Sequence, residues 1–139
     1  MQYLIRTTPL LIVALLLAAP AFAQDKENPI EKEVKASLKD PAKPFVMYVH
    51  LKIKDGNAAK FEEAFAKARK ATRKEKGNKA YSLTRATKSA NEYIVYERWD
   101  NLAALQAHLK APHITTLLAD VGDMLDGAPA VKVFIPTRE

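Results

Sequence analysis

The sequence has no cysteine, one tryptophan and four glycines in 139 residues. Without cysteine there are no disulfides, no thiol catalysis and no thiolate metal site. An unbroken apolar stretch of membrane-spanning length is missing too. The longest, Leu10–Ala19, has ten residues and ends at Pro20, where a bilayer span needs about 20. That run follows a short segment with Arg6 as its one charge, and Ala21-Phe22-Ala23 supplies small residues at the positions a signal peptidase reads. Residues 1–23 are therefore expected to be a secretion signal cleaved before Gln24, leaving a periplasmic or secreted protein with no stable membrane anchor. The remaining 116 residues are one domain's worth, and they carry 21 Lys and Arg against 16 Asp and Glu. The lysines are interleaved with Glu62, Glu63 and Glu75 and not with stacking aromatics, a solvated face and no nucleic-acid surface.

Residues 24–44 read as a charged linker. Pro29, Pro41 and Pro44 punctuate it, and Ile30, Val34 and Leu38 recur every four residues, which allows a short surface helix between the prolines. From Phe45 the period changes to two. Phe45, Met47, Val49, Leu51 and Ile53 form one wholly apolar strand face, and Asp55-Gly56-Asn57 ends the strand and offers a helix cap. A helix is predicted over Ala58–Lys76, with Phe61, Phe65, Ala68 and Thr72 inward and Gly77 closing it. Strands are predicted over Ala80–Ala86 and Glu92–Trp99 around a Ser89-Ala90-Asn91 turn. A helix over Leu102–Leu109 capped by Asp100 or Asn101, a helical piece from Pro112 to about Leu125 and a strand over Ala130–Ile135 complete 45–139.

The β-α-β-β-α-β order implies an α+β, ferredoxin-like antiparallel sheet with its helices on one face. The other face would present Val46, Tyr48, His50, Ile94, Tyr96 and Phe134, an apolar surface that a second copy of the chain would cover.

The segment Tyr96-Glu97-Arg98-Trp99, followed by Leu102, Leu105, Ala107-His108-Leu109 and Pro112-His113, resembles the antibiotic biosynthesis monooxygenase family, particularly its small quinol monooxygenases. Lys54-Asp55-Gly56, Phe61, Phe65, Gly77, Tyr81 and Gly127–Val133 extend the likeness over Phe45–Ile135. The resemblance implies a dimeric α+β barrel and a cofactor-independent oxidation of a small phenolic or quinol substrate by molecular oxygen. A base that removes a phenolic proton and a dry pocket for the ring are what such chemistry requires.

His108, matching the family's Ala-His position, is the candidate catalytic base; the alternative is a helix-end histidine that caps carbonyls or bonds a carboxylate such as Glu97. Trp99, with Met47, Val49 and Val95, is the candidate substrate-binding wall, each also readable as plain core. Glu97 shares the strand parity of Trp99 and needs a partner, for which Arg85 and His108 are candidates. His113, just after Pro112, reads as a helix-start residue that serves the fold. The two histidines lie five apart across a proline with no acid at metal spacing, so no metal is expected. Val49, His108 and Leu118 stand where the heme-degrading branch has Asn, Trp and His, and Val95 replaces an amide common among ring-oxidising members. A non-catalytic dimeric module binding a small hydrophobic ligand is the competing reading; a third is a basic dimer that docks on acidic partners through Lys67–Lys76.

Overall fold

The computed structural model describes residues 27–137; the leader read over 1–23 lies outside the described residues. Alternation in the sequence becomes alternation in burial along β1 (Phe45–Lys52), whose Phe45, Met47, Val49 and Leu51 are all buried. It lies between β3 (Glu92–Trp99), which pairs from Phe45↔Trp99 to Lys52↔Glu92, and β4 (Ala130–Phe134), which pairs from Val46↔Phe134 to His50↔Ala130. With β2 (Asn78–Arg85) on the far edge of β3, the antiparallel sheet runs β2-β3-β1-β4, the order expected of the ferredoxin-like fold.

Two helices bring buried stripes to the sheet, and a third packs on those two. From α2 (Ala58–Thr72) come Phe61, Phe65, Ala68 and Thr72; from α3 (Leu102–Leu109), Leu102, Leu105, His108 and Leu109; from α4 (Pro112–Gly122), Ile114, Leu117 and Val121. Asn101, of the two predicted caps, accepts the Ala104 N–H at 2.9 Å. Asn57 does not cap α2 through its side chain, whose amide instead donates to the Asp55 carbonyl.

The helix expected to reach Lys76 stops at Thr72. Lys74 N–H and Glu75 N–H then bond the carbonyls three residues back, so the chain tightens into turns before Gly77. Gly77 has φ +89°, and a Cβ there would lie 2.6 Å from the Ala104 Cβ on α3. Both the left-handed backbone and the close approach demand glycine. Gly77→Ala is expected to cost about 2–4 kcal/mol, combining left-handed strain with overpacking. Urea denaturation checks it, and a loss under about 1 kcal/mol would refute the close approach as a constraint.

The linker reading needs correction where the segment is described. Pro29–Ser37 forms a further helix, α1, with Asn28 Oδ1 accepting the Ile30 N–H at 2.8 Å. Val34 is fully buried, and α1 packs on α3 and β4. Gln106 donates to Glu31 at 2.7 Å and Leu102 N–H to the Pro41 carbonyl at 2.9 Å. Buried Val34, with Ile30 and Leu38 partly buried on either side of it at four-residue spacing, docks this charged segment.

On the outer sheet face Tyr48, Ile94 and Phe134 are exposed. The Tyr48 ring meets Tyr96 at 5.3 Å and Phe134 edge-on at 5.4 Å. Among the described residues no helix is long and apolar enough to cross a membrane.

Candidate functional site

The turn after α2 delivers Glu75 to a gap that α3 and α4 approach from the other side. His108, near the end of α3, is 3 % exposed, and its Nδ1 lies 2.9 Å from Glu75 Oε2. His113, second residue of α4 behind Pro112, brings its Nε2 to 2.6 Å from Glu75 Oε1. These last two atoms are shielded from solvent and at ion-pair distance, yet not aligned as a hydrogen bond. One carboxylate is thus held between two imidazoles, whose ring centres are 6.2 Å apart.

Behind His108 the packing is aromatic. Trp99, fully buried, has its ring 4.7 Å from the His108 ring, and Tyr81 lies edge-on at 5.3 Å. Phe65 stacks on the other side of Tyr81 at 5.0 Å. The indole N–H of Trp99 donates to Glu97 Oε2 at 2.9 Å. This corrects the partner expected for Glu97: Arg85 bonds Glu62 at 3.2 Å, and His108 is taken by Glu75.

Burial sets the electrostatics. It pushes Glu97 up to about 7, against the Trp99 hydrogen bond and with help from the Glu75 charge. It pulls His108 down to about 3, with His113 adding to the effect, so this imidazole is neutral at neutral pH. Glu75 is raised by burial while His113 acts to lower it. Tyr81 lies well above the usual phenol value, again mainly through burial. With Glu75 ionised, the carboxylate can only accept. A neutral His108 then carries its proton on Nδ1 and keeps a lone pair on Nε2.

Of the residues selected from sequence, His108 and Trp99 come together. Met47, Val49 and Val95 share their sheet face, with Val49 opposite Val95 and Met47 opposite Glu97, and all are buried in the core. The recess that reaches the cluster lies elsewhere, between α2 and α4. It is a groove of about 570 Å³ with Ala64, Ala68, Leu117 and Met124 along it, and His113 in its wall. Trp99, His108, Met47, Val49 and Val95 do not line it.

Two sequence inferences about this region change. His113 is part of the cluster and not only a helix-start residue. An acid does complete the histidine pair: one ligand atom each from Glu75, His108 and His113 all fall within 4.8 Å of one another. The signal for Glu75 was present, since it continues the inward series Phe61, Phe65, Ala68, Thr72 by a further three residues. A lysine-rich neighbourhood made it look like one more surface charge.

A small α+β domain with an ionisable cluster between its helices is the class these features define. Residues 44–119 match the family model described as Antibiotic biosynthesis monooxygenase, and the chain belongs to that family. It is 34% identical over 68 residues to the Mycobacterium tuberculosis protein Rv0793, whose name carries a provisional monooxygenase assignment. That match takes in 49% of this chain and 66% of the relative, just under two thirds of its length. The solved structure of Rv0793 superposes with TM-score 0.64 at 25% identity, over 69% of this chain and 97% of that one. A Caulobacter crescentus structure with a provisional antibiotic biosynthesis monooxygenase title gives TM-score 0.66 at 25% identity, over 70% and 93%. A Nitrosomonas europaea structure with a similar title gives 0.65 at 18% identity, over 68% and 99%, a likeness of fold.

Proposed function

We propose that this protein is a cofactor-independent monooxygenase of small phenolic or quinol substrates. The observation that carries the reading is the Glu75 carboxylate set between the two imidazoles, one neutral and buried, one in the wall of a groove. A substrate ring in the groove would present its hydroxyl to His113. Glu75 stands behind, its carboxylate stabilising the imidazolium that forms at His113 as in other carboxylate–histidine pairs, and His108 holds that carboxylate through Nδ1–H while its Nε2 lone pair remains to accept a proton. His108 alone is a weak acceptor at a pKa of about 3, which makes Glu75 a necessary part of the device.

The resulting phenolate gives an electron to oxygen, and the radical pair combines at the ring. For a hydroquinone, loss of water from the ring hydroperoxide leaves a hydroxyquinone. One oxygen atom is retained, the other departs as water, and the substrate supplies all the electrons. Burial of Trp99 and Tyr81 behind the cluster keeps that side dry.

The protein would act as a homodimer joined through the outer sheet face, where Tyr48, Tyr96, Ile94 and Phe134 form an apolar patch. Export by the N-terminal leader would place this dimer in the periplasm or outside the cell.

An oxygen electrode and a panel of substituted hydroquinones test the activity. Uptake of one oxygen per substrate is expected, with His108→Ala and His113→Ala each lowering the rate about 10²-fold. A second reading, a ligand-binding module without turnover, draws on the solid packing of Met47, Val49, Val95 and Trp99. Quinol-induced change in Trp99 fluorescence without oxygen uptake would establish it in place of the enzyme.

A further inference from the structure

We propose that Glu75, His108 and His113 form a binding site for a first-row divalent cation such as Zn²⁺. The donors are the imidazole Nδ1 of His108, whose proton moves to Nε2 when an ion takes its place beside Glu75, the Nε2 of His113 and the Glu75 carboxylate, all within 4.8 Å of one another. Two nitrogens and a carboxylate oxygen are a donor set that zinc takes at about 2.0–2.2 Å, with ligand atoms roughly 3.3 Å apart around a tetrahedron. The carboxylate now sits 2.9 and 2.6 Å from the two nitrogens, closer than a shared cation requires. A small withdrawal of Glu75 accommodates the ion, and its side chain has three rotatable bonds on a turn outside α2.

The closest pair of donor atoms in the cluster is an ion-pair contact. Glu75 Oε1 and His113 Nε2 face each other at 2.6 Å, shielded from solvent, without hydrogen-bond alignment. A proton on His113 Nε2 holds that contact, and a divalent cation binding there takes the proton's place. The backbone supports the arrangement independently of any ion. Gly77 fixes the turn bearing Glu75 against α3, and the two-residue link Lys110–Ala111 fixes α3 and α4, so all three donors come from constrained positions. Since His113 also lines the groove, an ion has a path from solvent, and three protein ligands leave a fourth position for water or an added donor.

The test is titration of metal-free protein with ZnCl₂ by calorimetry, followed by Co²⁺ substitution read in the visible spectrum. One Zn²⁺ per chain with micromolar or tighter affinity is expected, together with a rise in the thermal midpoint and tetrahedral Co²⁺ absorption. His113→Ala, at a quarter-exposed position that leaves the core intact, should weaken binding at least 10-fold, and Glu75→Gln should do likewise. Binding below one Zn²⁺ per ten chains would overturn the site. So would unchanged affinity in His113→Ala, which would place the ion elsewhere, for instance at the exposed His50–Glu92 pair. An ion here would occupy the groups that the proposed oxidation uses to move a proton, so Zn²⁺ would inhibit that reaction in the metal-free protein; binding is read without substrate, which keeps its outcome distinguishable from that of the oxygen-uptake test.

Discussion

Trp99→Ala is expected to lower the unfolding free energy by about 3–5 kcal/mol, the largest stability loss of any single substitution considered for this chain. The indole is fully buried at the join between β3 and α3, with the His108 ring against it. Truncation leaves a cavity, and it also strips Glu97 of the N–H that its buried carboxylate accepts. Against a total of about 5–15 kcal/mol for a domain this size, the variant would be marginal at 37 °C. Trp99→Phe separates the two contributions, since it keeps most of the ring and removes the donor. Its cost should be about 1–3 kcal/mol and should grow with pH as Glu97 ionises unaided. Guanidinium denaturation at pH 5 and pH 8 distinguishes the two effects. Equal losses for Ala and Phe would show that the hydrogen bond, and not the volume, dominates.

Glu97→Gln is expected to act in the opposite direction. Burial raises the Glu97 pKa from 4.5 to about 7, so the folded state favours the neutral acid. Stability from this group is complete below the unfolded value of 4.5 and is lost as pH rises through 7. At 1.36 kcal/mol per unit, the loss between pH 5 and pH 8 is about 2–3 kcal/mol. Glutamine keeps an oxygen for the Trp99 N–H and has no charge to bury. Its stability relative to the natural protein should therefore climb by about 2–3 kcal/mol over that interval. Other titrating groups cancel in the difference, including His108, whose lowered pKa withdraws stability in the reverse sense, as pH falls from 6.5 towards 3. A difference flat with pH would mean that Glu97 ionises freely in the folded protein.

The sheet was legible because period-two alternation is a local signal: Phe45 to Leu51 alternate in sequence and alternate in burial. Helix positions followed from stripes such as Phe61, Phe65 and Ala68. What sequence pattern did not reveal depends on chain geometry after the stripes end. The turns between Thr72 and Gly77 swing Glu75 inward; it continues the Phe61–Thr72 spacing, but the helix that gives that spacing its meaning has ended at Thr72. Likewise His108 and His113 look too widely separated to cooperate, yet the short link between α3 and α4 points both at one acid. The docking of α1 was hidden by composition, since three apolar residues, Ile30, Val34 and Leu38, in a charged, proline-bounded segment are a weak signal for burial.

The sequence also concentrated the candidate pocket on Met47, Val49, Val95 and Trp99, all of which are core. Alternation identifies which residues face inward, but it does not say where the helices fail to meet. That gap falls between α2 and α4, on the side of the cluster marked by His113.

The most direct test of the account is a crystal structure of the protein soaked anaerobically with a hydroquinone. The ring should occupy the α2–α4 groove, with one hydroxyl oxygen about 2.6–3.2 Å from an imidazole nitrogen of His113. A hydroquinone bound only on the outer sheet face, or a groove left without it at saturating concentration, would contradict the account.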